Sequence, residues 1–285
     1  MKKILLAASF SLLLSNFSHA QLFKPKADKK QKFATPVAMS AAKPSTKKAE
    51  AWFYYSIADN KAEEHNLKIA DMRYNLAGEL IEWKVFDMSG EIDYIYLYEY
   101  QTNPKRIKRF IQYPETEPIL DLLETYNDKN QLVKSEYFGA DNKLIETNEW
   151  EYNAQGNVAL STKRNDKNVL IYKVRYEYDE KGRARKETHF NLQTDETHDI
   201  TFAYNQNNLL AQETRYQSTG ELDRKILYSY DDKERVLEKK SFRGKELEVV
   251  EKYIYSSISN EVAHSTYTAG GNELSEYVVY KYEFN

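Results

Sequence analysis

The sequence predicts an all-β fold, a single elongated and curled antiparallel sheet made of consecutive β-hairpins. Three observations support this prediction. A tyrosine recurs at a spacing of 26 residues, and a fixed period of this size indicates a repeat array. Turn-forming residues interrupt the chain roughly every dozen positions, and large apolar residues alternate with polar ones between them. The tyrosines of the period are Tyr74, Tyr100, Tyr126, Tyr152, Tyr178, Tyr204, Tyr230, Tyr255 and Tyr282, where one copy of 25 residues and one of 27 residues cancel.

One copy of the repeat, starting at Tyr178, shows how each element is predicted. Asp179 and Gly182 indicate a tight turn, because they supply side-chain to backbone hydrogen bonds and a positive φ angle. Apolar residues then occupy odd positions of the copy, which is the period of a strand. Each copy therefore predicts two strands of about seven residues, with Lys, Glu, Arg and Thr on a solvated face.

Stacking of the copies is predicted to place like residues side by side. One copy buries too few large side chains to fold alone, so neighbouring copies must share their apolar face. About 16 strands in sequential order are expected, and an open sheet of that size must twist and curl. The aromatic residues of position 13 and those of positions 25 and 1 are expected to form ladders across adjacent strands, all on the apolar face. Position 13 is Phe86, Phe138, Phe190, Tyr216 and Phe242.

Three segments that open copies resemble a known family. They read YDEKGR at 178–183, YNAQGN at 152–157 and YDDKER at 230–235, and they are similar to the tyrosine-aspartate (YD) repeats of Rhs and wall-associated bacterial proteins. The resemblance covers about residues 74–284 and implies a long winding sheet of antiparallel hairpins. The chain shows no toxin or peptidase-like segment after Phe284, so the cage-and-toxin role of the large members is not expected here.

The N-terminal part predicts export. Residues 1–20 combine two lysines, an apolar run and a small-x-small site, which is typical of a cleaved Sec signal peptide, with an uncleaved anchor as the alternative. Residues 21–50 are Lys-rich and predict a disordered basic linker that could touch an anionic envelope surface. Residues 51–73 are expected to cap an array at 74–285. The predicted location is periplasmic or secreted, and nucleic acid is not an expected partner.

The copy that starts at Tyr100 breaks the pattern and is the first candidate binding feature. It contains three prolines, which sheets tolerate only at edges, turns and bulges, and four crowded basic residues. The alternative is a local irregularity without function. The basic residues are Lys105, Arg106, Lys108 and Arg109.

Aromatic rows and a histidine pair are the other candidate sites. Tyr94 and Tyr96 belong to a row that could stack on sugar rings or dock a partner strand, or could simply form the core. His189 and His198 flank a predicted turn and are weak candidates for a metal such as zinc, the alternative being two solvated side chains. No metal or other cofactor is otherwise expected.

Three classes of function follow from these observations. The preferred one is a non-enzymatic exported scaffold that presents a long curved sheet to a protein partner in the envelope. The second is a carbohydrate-binding protein that uses exposed aromatic rows. The third is an enzyme acting on envelope polymers, although the chain has no cysteine and none of the common catalytic motifs. Covered rings with free strand edges would favour the first, open coplanar rings the second, and converging ionisable groups the third.

Overall fold

The structure, a computed structural model, describes residues 46–54, 57–58, 61–62, 66–87, 89–255, 261–268 and 273–284. The predicted signal peptide and most of the predicted linker lie outside these residues. No helix in this part of the chain is long and apolar enough to span a membrane. The strands are β1 Thr46–Tyr54, β2 Ile57–Ala58, β3 Lys61–Ala62, β4 Asn66–Tyr74, β5 Leu80–Phe86, β6 Ile92–Thr102, β7 Lys105–Gln112, β8 Ile119–Tyr126, β9 Leu132–Phe138, β10 Leu144–Tyr152, β11 Val158–Asn165, β12 Leu170–Tyr178, β13 Ala184–Asn191, β14 Glu196–Tyr204, β15 Leu210–Tyr216, β16 Leu222–Tyr230, β17 Val236–Arg243, β18 Glu246–Tyr255, β19 Glu261–Thr268 and β20 Glu273–Phe284.

The described strands form one closed antiparallel barrel of 18 strands, with β2 and β3 as a separate small hairpin. Strands β4 to β20 pair in sequence order, and β1 pairs with β20 on one side and with β4 on the other. The prediction of antiparallel hairpins in an all-β fold is confirmed, but the prediction of an open, elongated sheet is wrong. The closing strand begins at Thr46, within the segment predicted as a linker, and its pairing leaves neither end of the sheet with unpaired backbone groups.

The turns follow the predicted chemistry. In the β12–β13 turn, the Asp179 Oδ1 atom accepts hydrogen bonds from the backbone N–H groups of Lys181 and Arg183, with N to O distances of 2.9 Å. Gly182 has a φ of 73°, which glycine adopts without steric cost. Asparagine or glutamate occupies the equivalent left-handed position in other copies. These residues are Asn130, Asn208 and Glu234, and Asn142 and Asn168 adopt the same conformation in the second turn of their copies.

A register shift follows most of these turns, and the sequence analysis missed it. Glu177 pairs with Lys186, but the next residue, Tyr178, pairs with Ala184, so Arg185 is left over as a bulge. The same shift recurs in the pairs β4–β5, β8–β9, β10–β11, β14–β15, β16–β17 and β18–β19. A bulge bends its strand and increases the local twist. Repeated in hairpin after hairpin, these bends curl the sheet until its ends meet.

The bulges also send the aromatic residues of position 13 to the other face of the sheet. Phe190 pairs with Lys173 on one side and with Thr197 on the other, whereas the tyrosines that mark the period lie on the opposite face. A shift of one residue exchanges the faces of every residue that follows. The prediction that position 13 lies on the same apolar face as positions 25 and 1 is therefore wrong.

The face that carries the periodic tyrosines is the inner face of the barrel. Burial raises the pKa of Tyr98, Tyr176 and Tyr228 on this face, as expected where side chains converge on the concave side of a curved sheet. The other face carries the exposed pair Glu177 and Arg185, whose side chains are 46% and 65% exposed. The barrel thus has an aromatic interior and a charged outer wall.

The periodic tyrosines have a second role, since most of their hydroxyl groups bond to the bulges. The Tyr178 hydroxyl donates to the backbone oxygen of Val158 at 2.7 Å, and Val158 is the first residue of β11, where the register with β10 shifts. Six copies repeat this tyrosine latch at 2.6 to 2.8 Å. In the irregular copy, Tyr126 instead donates to the Glu124 carboxylate. The six latch tyrosines are Tyr100, Tyr152, Tyr178, Tyr204, Tyr230 and Tyr255.

Replacing one latch tyrosine by phenylalanine tests this role. Tyr178→Phe should lower the free energy of unfolding by about 1 kcal/mol, because the ring stays but the hydrogen bond is lost. Urea unfolding measures the change. The matched control is Tyr113→Phe, since Tyr113 is 46% exposed and does not mark the period. Equal effects of the two substitutions would contradict a stabilising latch.

Candidate functional site

The four basic residues of the irregular copy do not form one patch. In the β6–β7 pair, Lys105 and Arg109 lie opposite Thr102 and Tyr98 on the inner face. Arg106 and Lys108 lie opposite Gln101 and Glu99 on the outer wall. Residues adjacent in a strand point to opposite faces, so the crowding in the sequence is divided between the two sides of the sheet.

Arg109 and Lys105 are engaged within the wall. The Arg109 Nε atom lies 2.6 Å from an Asp121 carboxylate oxygen, and its guanidinium carbon lies 4.5 Å from the Tyr96 ring centroid. Burial opposes the charged form of Arg109, but the charge of Asp121 raises its pKa nonetheless. The Lys105 Nζ atom lies 2.5 Å from Asn130 Oδ1. These contacts are those of structural ion pairs and hydrogen bonds.

Tyr94 and Tyr96 pack against other aromatic rings on the inner face. Their ring centroids are 5.2 Å apart in an edge-to-face arrangement, and the Tyr96 ring lies 5.5 Å from that of Trp83. Tyr94 is only 9% exposed. Rings that pack edge to face in this way contribute to the core and offer little open face to a sugar.

The structure sets His189 and His198 directly opposite one another on the inner face, with stacked rings 4.6 Å apart. The Tyr172 hydroxyl lies 2.9 Å from His189 Nδ1, and the Glu187 carboxylate lies 2.9 Å from His189 Nε2. Both ring nitrogens of His189 are therefore already engaged. Among the described residues, no group of three or more metal-binding side chains is placed to hold an ion, and Asp199 lies on the outer wall with Lys186.

The polar cluster around these histidines extends over β12 to β16. Burial, His189 and Arg215 together lower the pKa of His198 to about 4. Burial and the neighbouring charge of Glu187 raise the pKa of Glu213, whose carboxylate lies 3.4 Å from the Tyr228 hydroxyl. Ionisable groups thus converge on this part of the inner face.

The two histidines stand out in the sequence, but the other members of the cluster do not. Tyr172, Glu213 and Arg215 carry no motif, and only the strand register brings them to the inner face near His198. Their inner position follows from the bulge at position 8, as at Arg185, which moves the even positions after it to the inner face, and no sequence signal marks that bulge.

Comparisons with known proteins give two distant structural similarities. No protein family matches the chain, and no curated protein does. A porin-like protein from Bacteroides uniformis is 13% identical, with a TM-score of 0.44 over 85% of this chain and 99% of that chain. The Photorhabdus luminescens Tc holotoxin pore is 14% identical, with a TM-score of 0.30 over 69% of this chain and 12% of that chain. These scores are too low to establish a shared fold, so neither similarity assigns a function.

The depressed pKa of His198 predicts a pH dependence of stability. Between pH 6.5, its ordinary pKa, and pH 4, the unfolded chain binds a proton at His198 that the folded barrel does not. The contribution of neutral His198 to the free energy of unfolding is therefore fully present above pH 6.5 and is lost as the pH falls toward 4.

The His198→Gln variant should show a shallower loss of stability over this window, because glutamine keeps a polar group but does not titrate. Urea unfolding of the variant and the original protein at several pH values measures the difference. Parallel curves for the two proteins would contradict the assignment.

Proposed function

We propose that this chain is an exported, non-enzymatic binding protein of the cell envelope whose barrel holds its partner or ligand on the inner face. The proposal keeps the preferred function class of the sequence analysis but changes the surface. The closed barrel is the observation behind this change of binding surface. A sheet without free edges cannot add a partner strand by backbone pairing, so the inner face replaces it.

The charged outer wall is evidence that water, and not lipid, surrounds the barrel. Lys48 and Lys68 both bond to the Glu50 carboxylate, at 2.8 and 2.7 Å. Burial opposes ionisation of Glu50, but these lysines lower its pKa to about 2. Phe190 on the same wall is covered by Lys173, whose Nζ atom lies 4.7 Å from the ring. A lipid-facing barrel would instead need an apolar outer band.

The inner face is the better candidate for binding because its groups are diverse and enclosed. It combines the aromatic rings of the latch tyrosines with the cluster of His189, His198, Glu213 and Arg215. A circular barrel of about 18 strands encloses more space than its inward side chains fill. Most ligand sites are lined by apolar side chains with a few polar groups among them, and the inner face has this composition.

The two other function classes receive less support. Sugar stacking requires open aromatic faces, and the rings of Tyr94 and Tyr96 pack against each other. Catalysis is suggested by the hydrogen-bonded chain of Tyr172, His189 and Glu187. Burial raises the pKa of Tyr172, however, which is the reverse of what an activated nucleophile needs. A binding protein therefore remains the proposed function.

Single cysteines can test which face is covered in the envelope, because the chain has no cysteine of its own. Ser241 lies on the inner face opposite Ile226, and Ser229 lies exposed on the outer wall. The Ser241→Cys variant should react with a small maleimide more slowly in the intact envelope than after purification. The Ser229→Cys variant should react equally in both states.

For each variant, mass spectrometry gives the labelling rate in the envelope and after purification, and the ratio of these two rates shows whether that face is covered. Protection of the Ser229→Cys variant alone would place the partner on the outer wall and overturn the proposal. The absence of protection in both variants would also overturn it.

A further inference from the structure

Three arginines lie side by side across neighbouring strands at one end of the inner face. Arg215 pairs directly with Arg224, and Arg224 pairs directly with Arg243. Arg243 is the last residue of β17, next to the turn at Gly244, so this arginine row runs from the inner face to the rim of the barrel. Like charges directly opposite each other destabilise a sheet. We therefore expect the repulsion among the three arginines to be offset by a function of the row.

The fixed acidic groups around the arginine row offset only part of its hydrogen-bonding capacity. Asp223 lies 3.2 Å from Arg215, and Glu248 lies 2.6 Å from Arg243 and 3.8 Å from Arg224. Glu246 lies opposite Arg243 in the register, at the exposed turn that also carries Lys245. Three guanidinium groups present about fifteen N–H donors in all, whereas the two carboxylates of Asp223 and Glu248 offer about eight acceptor sites. The arginine side chains are 48%, 48% and 66% exposed, so a ligand can reach them.

The charge of Arg215 acts beyond the row itself. The charge of Arg215 contributes to the lowered pKa of His198 and acts on Tyr172 as well, so it extends across β12 and β14. An anion that enters at the rim would therefore meet a cationic row first and the polar cluster behind it. Field lines focused by a low-dielectric wall raise the local concentration of such an anion.

We propose that the arginine row binds the phosphoryl group of a small ligand at the mouth of the barrel. Neighbouring strands are about 4.8 Å apart, so one phosphoryl group can bridge two adjacent guanidinium forks. A phosphoryl group has two negative charges and three terminal oxygens, so it can accept hydrogen bonds from two arginines at once. A carboxylate has only one charge and two oxygens and is the poorer ligand for such a pair. This inference rests on the proposed binding function and names the chemistry that the inner face recognises.

Titration calorimetry with pyrophosphate on the full exported chain tests the site. Arg224→Gln should weaken pyrophosphate binding about tenfold or more, because it removes charge-assisted hydrogen bonds from the middle of the row. The matched control is Arg106→Gln, an exposed arginine on the outer wall, which should leave the affinity unchanged. Added salt should weaken binding to the original protein.

A gain-of-binding variant guards against simple misfolding. Asp223→Asn removes the carboxylate that competes for Arg215 and should tighten pyrophosphate binding. Equal affinities of the Arg224→Gln and Arg106→Gln variants, or no binding by the original protein at millimolar pyrophosphate, would overturn the phosphoryl site. If the Ser241→Cys variant is still protected in the envelope in that case, the proposed function stands and only the ligand chemistry is wrong.

Discussion

The register shift after the turns is the constraint on which the rest of this structure depends. Each shift leaves one residue over in the strand that follows the turn, such as Arg185 after the β12–β13 turn. The extra residue bends the strand, and the bend is repeated with the 26-residue period of the sequence. Curvature that is small in one hairpin adds up to a closed barrel of 18 strands. Closure then satisfies the two strand edges that an open array would leave unpaired.

The periodic tyrosine connects this backbone feature to the sequence. Its ring packs on the inner face, and its hydroxyl reaches the carbonyl group at the bulge of the preceding hairpin, as Tyr178 does at Val158. One residue type thus supplies apolar burial and a hydrogen bond to the backbone where the register shifts. The need for both explains why a tyrosine, and not a phenylalanine, marks the period.

Sequence reasoning could predict the strands and turns but not the closure. The turn residues Asp179 and Gly182 and the alternation of apolar positions are local signals, and the structure agrees with them. A bulge has no comparable signal, because its extra residue is Arg185 in one copy and Leu237 in another. The missed bulge placed Phe190 on the wrong face. It also hid Glu213, Arg215 and Arg224, whose inner position depends on the shifted register.

The inner face and the outer wall have different roles in this account. The outer wall is a solvated surface of paired charges, and the inner face combines aromatic packing with one polar cluster and the arginine row. The sequence predicted a long curved sheet as the binding surface, with free strand edges, and the pairing of β1 with β20 and β4 leaves no such edges. Binding therefore has to use side chains inside the barrel or at its rim.

Closure itself is tested most directly by a disulfide between β1 and β20. Glu50 and Lys281 are paired in the register of the closed barrel, and opposite residues of an antiparallel pair lie about 5 Å apart, within disulfide range. The double variant Glu50→Cys with Lys281→Cys should form an intramolecular disulfide on mild oxidation, seen by mass spectrometry as the loss of two hydrogens. The pair Glu50→Cys with Lys225→Cys, on a distant strand, should not. An open array would hold residues 50 and 281 at opposite ends, so free thiols in both double variants would contradict the closed barrel.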